Sequence, residues 1–153
     1  MLAVHAGALC AAELRFLLRK GVDVVFCPGT HRYFDRSQPA FEEANMPAPL
    51  LGCDSRASVE RLDPWLEVRA AAQLLPSYSG RDWWDALTRR AAAALGEDSE
   101  EGSLLPGRRA RVVRLPDPGL RDPAALCDSL VSAEGPLPLA STGIPEPFHV
   151  DLP

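Results

Sequence analysis

Three short apolar runs, each stopped by a polar or turn-forming residue and separated by stretches of helical spacing, constrain this chain most. Residues 1–4 (MLAV) stop at His5, residues 22–27 (VDVVFC) stop at Pro28-Gly29, and Leu50-Leu51-Gly52-Cys53 stops at Asp54. Runs this short, rich in branched residues and bounded by turn formers, read as strands. Between the first two, Leu14, Leu17 and Leu18 recur at helical spacing from about Leu9 to Lys20, and Gly21 stands where a helix cap is expected. A loop is expected to Gln38, then a short helical piece over about Ala40–Asn45. Asp63-Pro64 is a helix-start signal, with the helix running to about Leu75. A further helix is expected from about Asp82 to Leu95, closed by Gly96. Strand alternating with helix predicts an α/β fold with a parallel sheet or barrel. Strands apolar throughout are expected to be buried on both faces.

The remaining third reads differently. Residues 97–101 (EDSEE) form an acidic, solvated loop, and Arg109–Leu115 (RARVVRL) suits a strand. Proline is dense from Pro116 onward. A short helix near Pro123–Ala133, after Asp122, is compatible with that spacing, but the stretch beyond Glu134 carries proline too often for a helix. The expected organisation is a parallel α/β unit over 1–96, a strand-bearing stretch over 97–115, and a loosely ordered, proline-rich tail over 116–153; the resemblance described below implies that the first is a partial barrel and the second a return strand.

Composition removes several function classes. With 153 residues the chain suits one domain. Its formal net charge of −5 offers no excess of cations for phosphates, so nucleic acid is not an expected partner. No apolar run approaches the roughly 18 residues of a membrane span, and the start MLAVHAG lacks the pattern of a signal peptide. Four cysteines are widely spaced without a CxxC pair, which suits a reducing cytoplasm better than a disulfide scaffold.

The polar residues at the strand ends carry the functional information. The C-terminal ends of parallel strands share one face of the sheet, and active sites of α/β folds sit there. His5, His31 (in Cys27-Pro28-Gly29-Thr30-His31) and Asp54 are therefore expected to converge. Each also has an ordinary reading: a capping or core histidine, an exposed loop histidine, and a loop or N-cap carboxylate. Cys27 and Cys53 flank the same face and read as buried, inert thiols. Trp83 and Trp84 read as one core and one partly exposed packing residue. No glycine pattern of a nucleotide-phosphate loop is present.

Taken in order, AVHAG, VVFCPGTHRYF, PLLGCDSRAS and LDPWLEVRAA resemble the C-terminal half of the amidohydrolase superfamily, in its metal-dependent deaminase and chlorohydrolase branch. The variant with His31 is similar to aminodeoxyfutalosine and nucleoside deaminases. Ala94-Leu95-Gly96 followed by Gly102-Ser103-Leu104-Leu105-Pro106-Gly107 resembles the same family's return into a small β domain. The resemblance covers about residues 1–115. It implies the last three β/α units of a TIM-type (β/α)8 barrel, a short piece of the composite β domain and an irregular tail. It also implies a hydrolase of carbon–nitrogen bonds, a deaminase of a purine-type or related heterocycle, using water activated by a divalent metal, zinc or iron. Carried over, Asp54 would be a metal ligand and proton acceptor, His5 would orient the nucleophile or stabilise the oxyanion, and His31 would line the substrate pocket. The family's His-x-His pair, fifth-strand His and proton-shuttling Glu have no counterpart here, Cys53 stands where Thr is usual, and Arg111 where Asp is.

Two function classes follow. In the first, the chain is the C-terminal portion of such a hydrolase, acts on a small molecule, and alone holds metal weakly or not at all and lacks turnover. In the second, it is a non-catalytic remnant or interaction module of the same fold. Its partner would be the missing N-terminal barrel half or a second copy. A doubly wound α/β domain unrelated to this family requires the ordered motifs to be coincidence.

Overall fold

The structure is a computed structural model that describes residues 1–109 and 119–132. Three parallel strands, β1 (Leu2–Val4), β2 (Asp23–Phe26) and β3 (Leu50–Leu51), form one sheet in the order β1-β2-β3. Leu2 pairs with Asp23 and Val25 with Leu50, so all three strands end at the same side. The ladders run slightly beyond the strands: His5 N donates to Val25 O at 2.7 Å and Gly52 N to Phe26 O at 3.0 Å.

Helix α1 (Ala11–Arg19) returns the chain from β1 to β2. Its first turn is held by Glu13, whose carboxylate accepts from Cys10 N at 2.9 Å. Gly21 adopts φ +65°, the left-handed conformation that the sequence required just past this helix. Beyond β2, the expected loop begins instead with a short helix, α2 (Pro28–Tyr33). Proline at its first position presets the helical φ, and His31 N bonds back to Cys27 O at 2.9 Å. The helical piece expected over 40–45 is a set of turns. Ala44 N reaches Ala40 O, but Asn45 at φ +54° ends the coil at once.

Helix α3 (Pro64–Leu74) starts where Asp63-Pro64 predicted, with Asp63 Oδ1 accepting from Trp65 N at 2.9 Å. The single helix expected over 82–95 is two, α4 (Gly80–Leu87) and α5 (Arg89–Leu95). The break is at Thr88 (φ −120°, ψ −91°), whose hydroxyl donates to Trp84 O at 2.8 Å. Such i−4 back-bonding by threonine bends helices. Gly96 caps α5 at φ +77°. The short helix expected near 123–133 is α6 (Pro123–Ser132), which packs on α4 and α3. Asp128 Oδ1 accepts from Gly80 N at 2.7 Å across that contact. Residues 110–115 of the strand expected over 109–115, and the tail beyond residue 132, lie outside the described residues.

Leu14, Phe26, Phe41, Val68, Leu75 and Trp83 are fully buried between the sheet and the helices. Phe26 meets Phe41 edge-on at 5.2 Å, a favoured aromatic geometry. The expected two-sided burial fails at β1, where Leu2 is 40 % and Val4 56 % exposed. Among the described residues β1 has β2 on one side only, and no described helix packs extensively on it. No helix among the described residues is long and apolar enough to cross a membrane.

Candidate functional site

His5 and Asp54 follow β1 and β3, the two outer strands, which neighbour spacing places about 9–10 Å apart. Their side chains nevertheless approach to 3.8 Å, His5 Nε2 to Asp54 Oδ2, across the end of β2. The backbone makes this possible. His5 (φ +71°), Ala6 (φ +50°) and Asp54 (φ +60°) all occupy the left-handed region, which residues with a Cβ rarely adopt. Each such residue costs of the order of 1 kcal/mol or more and persists where its surroundings hold it, most often at functional sites. The separation is beyond direct hydrogen-bond length and within the reach of an ion pair. Both side chains are partly open to solvent, 46 % and 32 % exposed.

His31 sits on α2 behind this pair. A cavity of about 10 Å³, room for one water, lies between His5, Phe26, Cys27, Thr30, His31 and Arg36. The alternative of an exposed loop histidine is excluded: His31 is 4 % exposed. Its Nε2 lies 2.9 Å from Ser37 O, and since a carbonyl only accepts, Nε2 carries the proton and Nδ1 is the free acceptor of the neutral ring. Burial lowers its pKa from the usual value, more than the Ser37 bond raises it. Phe26 packs edge-on against the ring at 5.2 Å. A side chain at position 7 would stand 3.0 Å from Nδ1, so glycine there keeps the ring in place.

Two buried contacts lock α2 to the segment after β3. Thr30 Oγ1 and Ser58 Oγ share a hydrogen bond of 2.7 Å. Glu67 Oε2 on α3 accepts from Gly29 N at 2.8 Å. Glu67 is 3 % exposed, and burial raises its carboxyl above the usual range while the Gly29 bond pulls the other way. Sequence reading passed over Glu67, although it stands at helical spacing with Ala70, Ala71 and Leu74, a carboxylate on an otherwise apolar face. The cysteines match their expected role. Burial pushes the Cys27 thiol up to about 11, with the Asp54 and Glu67 carboxylates adding to it, and burial raises Cys53 as well. Neither is a poised thiolate. Trp83 is fully buried and Trp84 partly so, as their pairing suggested.

As a metal centre, the site is incomplete among the described residues. No group of three or more His, Cys, Asp or Glu among the described residues is placed to share an ion, and a catalytic zinc takes three protein ligands. Asp54, with His5 beside it, supplies part of such a set. What the pair can do unaided is proton chemistry: a carboxylate that accepts and an imidazole that donates or orients, at the open end of a parallel sheet.

No family model matches the sequence, and no curated protein matches it. Solved structures do. The chain is similar to a zinc-bound adenosine deaminase from Xanthomonas campestris, with 28 % identity, a TM-score of 0.71 and 88 % of this chain covered. It shares its fold with the guanine deaminase of E. coli at a TM-score of 0.70, over 86 % of this chain and at 19 % identity. It spans 33 % of the first protein and 34 % of the second, about one third of the length of either.

Proposed function

We propose that this chain forms part of a hydrolase of carbon–nitrogen bonds, the C-terminal portion of an amidohydrolase-type (β/α)8 barrel that deaminates a purine-type heterocycle. One observation carries the reading. His5 and Asp54, from non-adjacent strands and in rare backbone conformations, meet at the strand ends of a fold shared with two deaminases. In the reaction, water adds to the ring carbon that bears the amino group, ammonia leaves, and a carbonyl oxygen takes its place. Asp54 accepts a proton from the attacking water and delivers it to the departing amine. His5 hydrogen-bonds the oxygen as charge develops on it. His31, neutral in its buried setting, lines the wall behind His5 on the substrate side. A divalent ion, zinc or iron, would need ligands beyond Asp54, so no step is assigned to it. The donors of the complete set, and the barrel wall beside β1, belong to polypeptide other than the described residues.

The test is ammonia release from adenosine by this chain reconstituted with the portion of the Xanthomonas campestris enzyme that it does not cover. Asp54→Asn is expected to lower turnover by about 10³-fold or more, in the range seen when a group essential to proton transfer is lost. Full activity of Asp54→Asn contradicts the assignment. A second reading, a non-catalytic module of the same fold, draws on the incomplete donor set. It predicts that Asp54→Asn changes stability alone.

A further inference from the structure

His31 gives its Nε2 proton to Ser37 O, so its Nδ1 can only accept. No donor among the described residues meets that nitrogen. A Cβ at position 7 would lie 3.0 Å from it, and glycine there leaves it uncovered. His5 lines the same small cavity. Its Nε2 is turned to Asp54 Oδ2, which leaves Nδ1 as the other polar atom of the ring.

The cavity wall also carries two donors, Arg36 and Cys27. Arg36 is brought back over His31 by a turn: Asp35 takes φ +46°, and Arg36 N donates to His31 O at 3.2 Å. Its guanidinium lies 5.5 Å from the Phe34 ring and is always protonated. Burial first, and then the Arg36 charge, lower the His31 pKa against the Ser37 bond. Cys27 is 2 % exposed with its thiol pushed up to about 11, so it offers an S–H.

We propose that one water, held in this cavity by His31 Nδ1 and Arg36, fixes the His5 proton on Nε2, which makes His31 a positioning residue for His5. The cavity of about 10 Å³ takes one water, and such a water needs two to four polar partners. Its lone pairs accept from the Arg36 N–H and the Cys27 S–H. Its two protons go to His31 Nδ1 and His5 Nδ1, so His5 Nδ1 is bare. The opposite tautomer would put three donors on two lone pairs. It would also set a bare Nε2 against the Asp54 carboxylate, acceptor against acceptor. The bond made by one ring nitrogen decides where the proton of a histidine sits. The consequence is an Nε2–H aimed at the opening between the strand ends, the donor that His5 needs toward charge developing on oxygen. That last step rests on the deaminase reading; the water and the tautomer do not.

The test uses the whole chain, isotope-labelled, at pH 8, where an ordinary imidazole is neutral. Long-range proton–nitrogen spectra should show His5 and His31 each with a bare Nδ1 and a protonated Nε2. Water should give cross-relaxation peaks to the His31 ring and to the α protons of Gly7. Arg36→Met, a change at an exposed residue, takes a donor from the water and leaves His31 in place; the water peak at the His31 ring should be lost. His31→Phe should lose the water peak at Gly7 and let the Nδ1–H form of His5 appear. In the reconstituted assembly, His31→Phe should lower kcat about tenfold or more with KM little changed, the usual loss when a group that orients a functional histidine is removed. No ammonia from the wild-type assembly strikes the deaminase reading and leaves the spectra to decide the tautomer. A wild-type His5 protonated at Nδ1, no water contact at His31, a His5 tautomer unmoved by both variants, or an unchanged kcat in an active assembly overturns the proposal.

Discussion

Gly29→Ala tests the clamp between α2 and α3, which sets where the strand-end segment lies. A Cβ at position 29 would stand 2.6 Å from Glu67 Oε1 and 2.7 Å from Val59 Cγ1, both closer than real carbon contacts allow. The end of Glu67 could swing away from the new methyl, but only by giving up the 2.8 Å bond from Gly29 N and leaving its carboxylate buried without that partner. Overpacking costs about 1–3 kcal/mol, and a lost hydrogen bond to a charged group about 1.5–3 kcal/mol. Against this, alanine restricts the unfolded chain and favours helix by about 0.5–1 kcal/mol. The net expectation is about 2–4 kcal/mol of destabilisation. For a chain of this length that is a fall in Tm of roughly 5–15 °C. Urea unfolding of the wild type, Gly29→Ala, Glu67→Ala and the double variant separates the causes. If Glu67 is the obstruction, Gly29→Ala costs less than about 1 kcal/mol once Glu67 is truncated, because the space and the lost bond are already conceded. A neutral Gly29→Ala, or an equal cost in both backgrounds, refutes the reasoning.

The other expectations rest on separate observations. The pKa of His31 is lowered by burial, so the folded state takes up its proton less readily than the unfolded one. Its contribution to stability is full above the ordinary value of 6.5 and is lost as pH falls from there through the lowered folded value. Wild type should therefore lose more stability than His31→Gln between pH 7.5 and pH 5 in urea titrations; equal losses count against the buried neutral ring, and the opposing effect of Glu67 cancels because both proteins keep it. Asp63→Ala removes the cap from α3 and should cost about 1 kcal/mol, seen as a lower urea midpoint with unchanged slope. Iodoacetamide at pH 8 should label the exposed Cys10 and spare Cys27, which is buried and pushed up to about 11; peptide mass mapping decides, and rapid loss of Cys27 would show that its pocket opens.

Local chemistry legible in the residues themselves governed much of this fold. The three apolar runs became parallel strands because nothing in them competes with β structure, and their end points were marked by His5, Pro28 and Asp54. Asp63-Pro64 and Gly96 set helix ends through a side-chain acceptor and a left-handed backbone, effects that act within one turn. The shared face of His5 and Asp54 followed from strand direction alone. Errors arose where a single residue tipped a local balance: Thr88 broke a helix through a bond to its own preceding turn, and Asn45 stopped another from forming.

Long-range contact decided the rest. That His5 and Asp54 reach 3.8 Å depends on left-handed turns at both strand ends, a conformation uncommon for any residue with a Cβ. His31 is neutral and buried rather than an open loop residue because Ser37, Gly7 and Phe26 close around it. Glu67 gained its place by meeting Gly29, 38 residues away in sequence, and Arg69 Nε and Nη2 on the same helix are buried without a partner among the described residues. Residue type states which groups can bond; only the packed chain brings particular groups within reach, because desolvation and hydrogen bonding are properties of neighbours that sequence order does not place side by side.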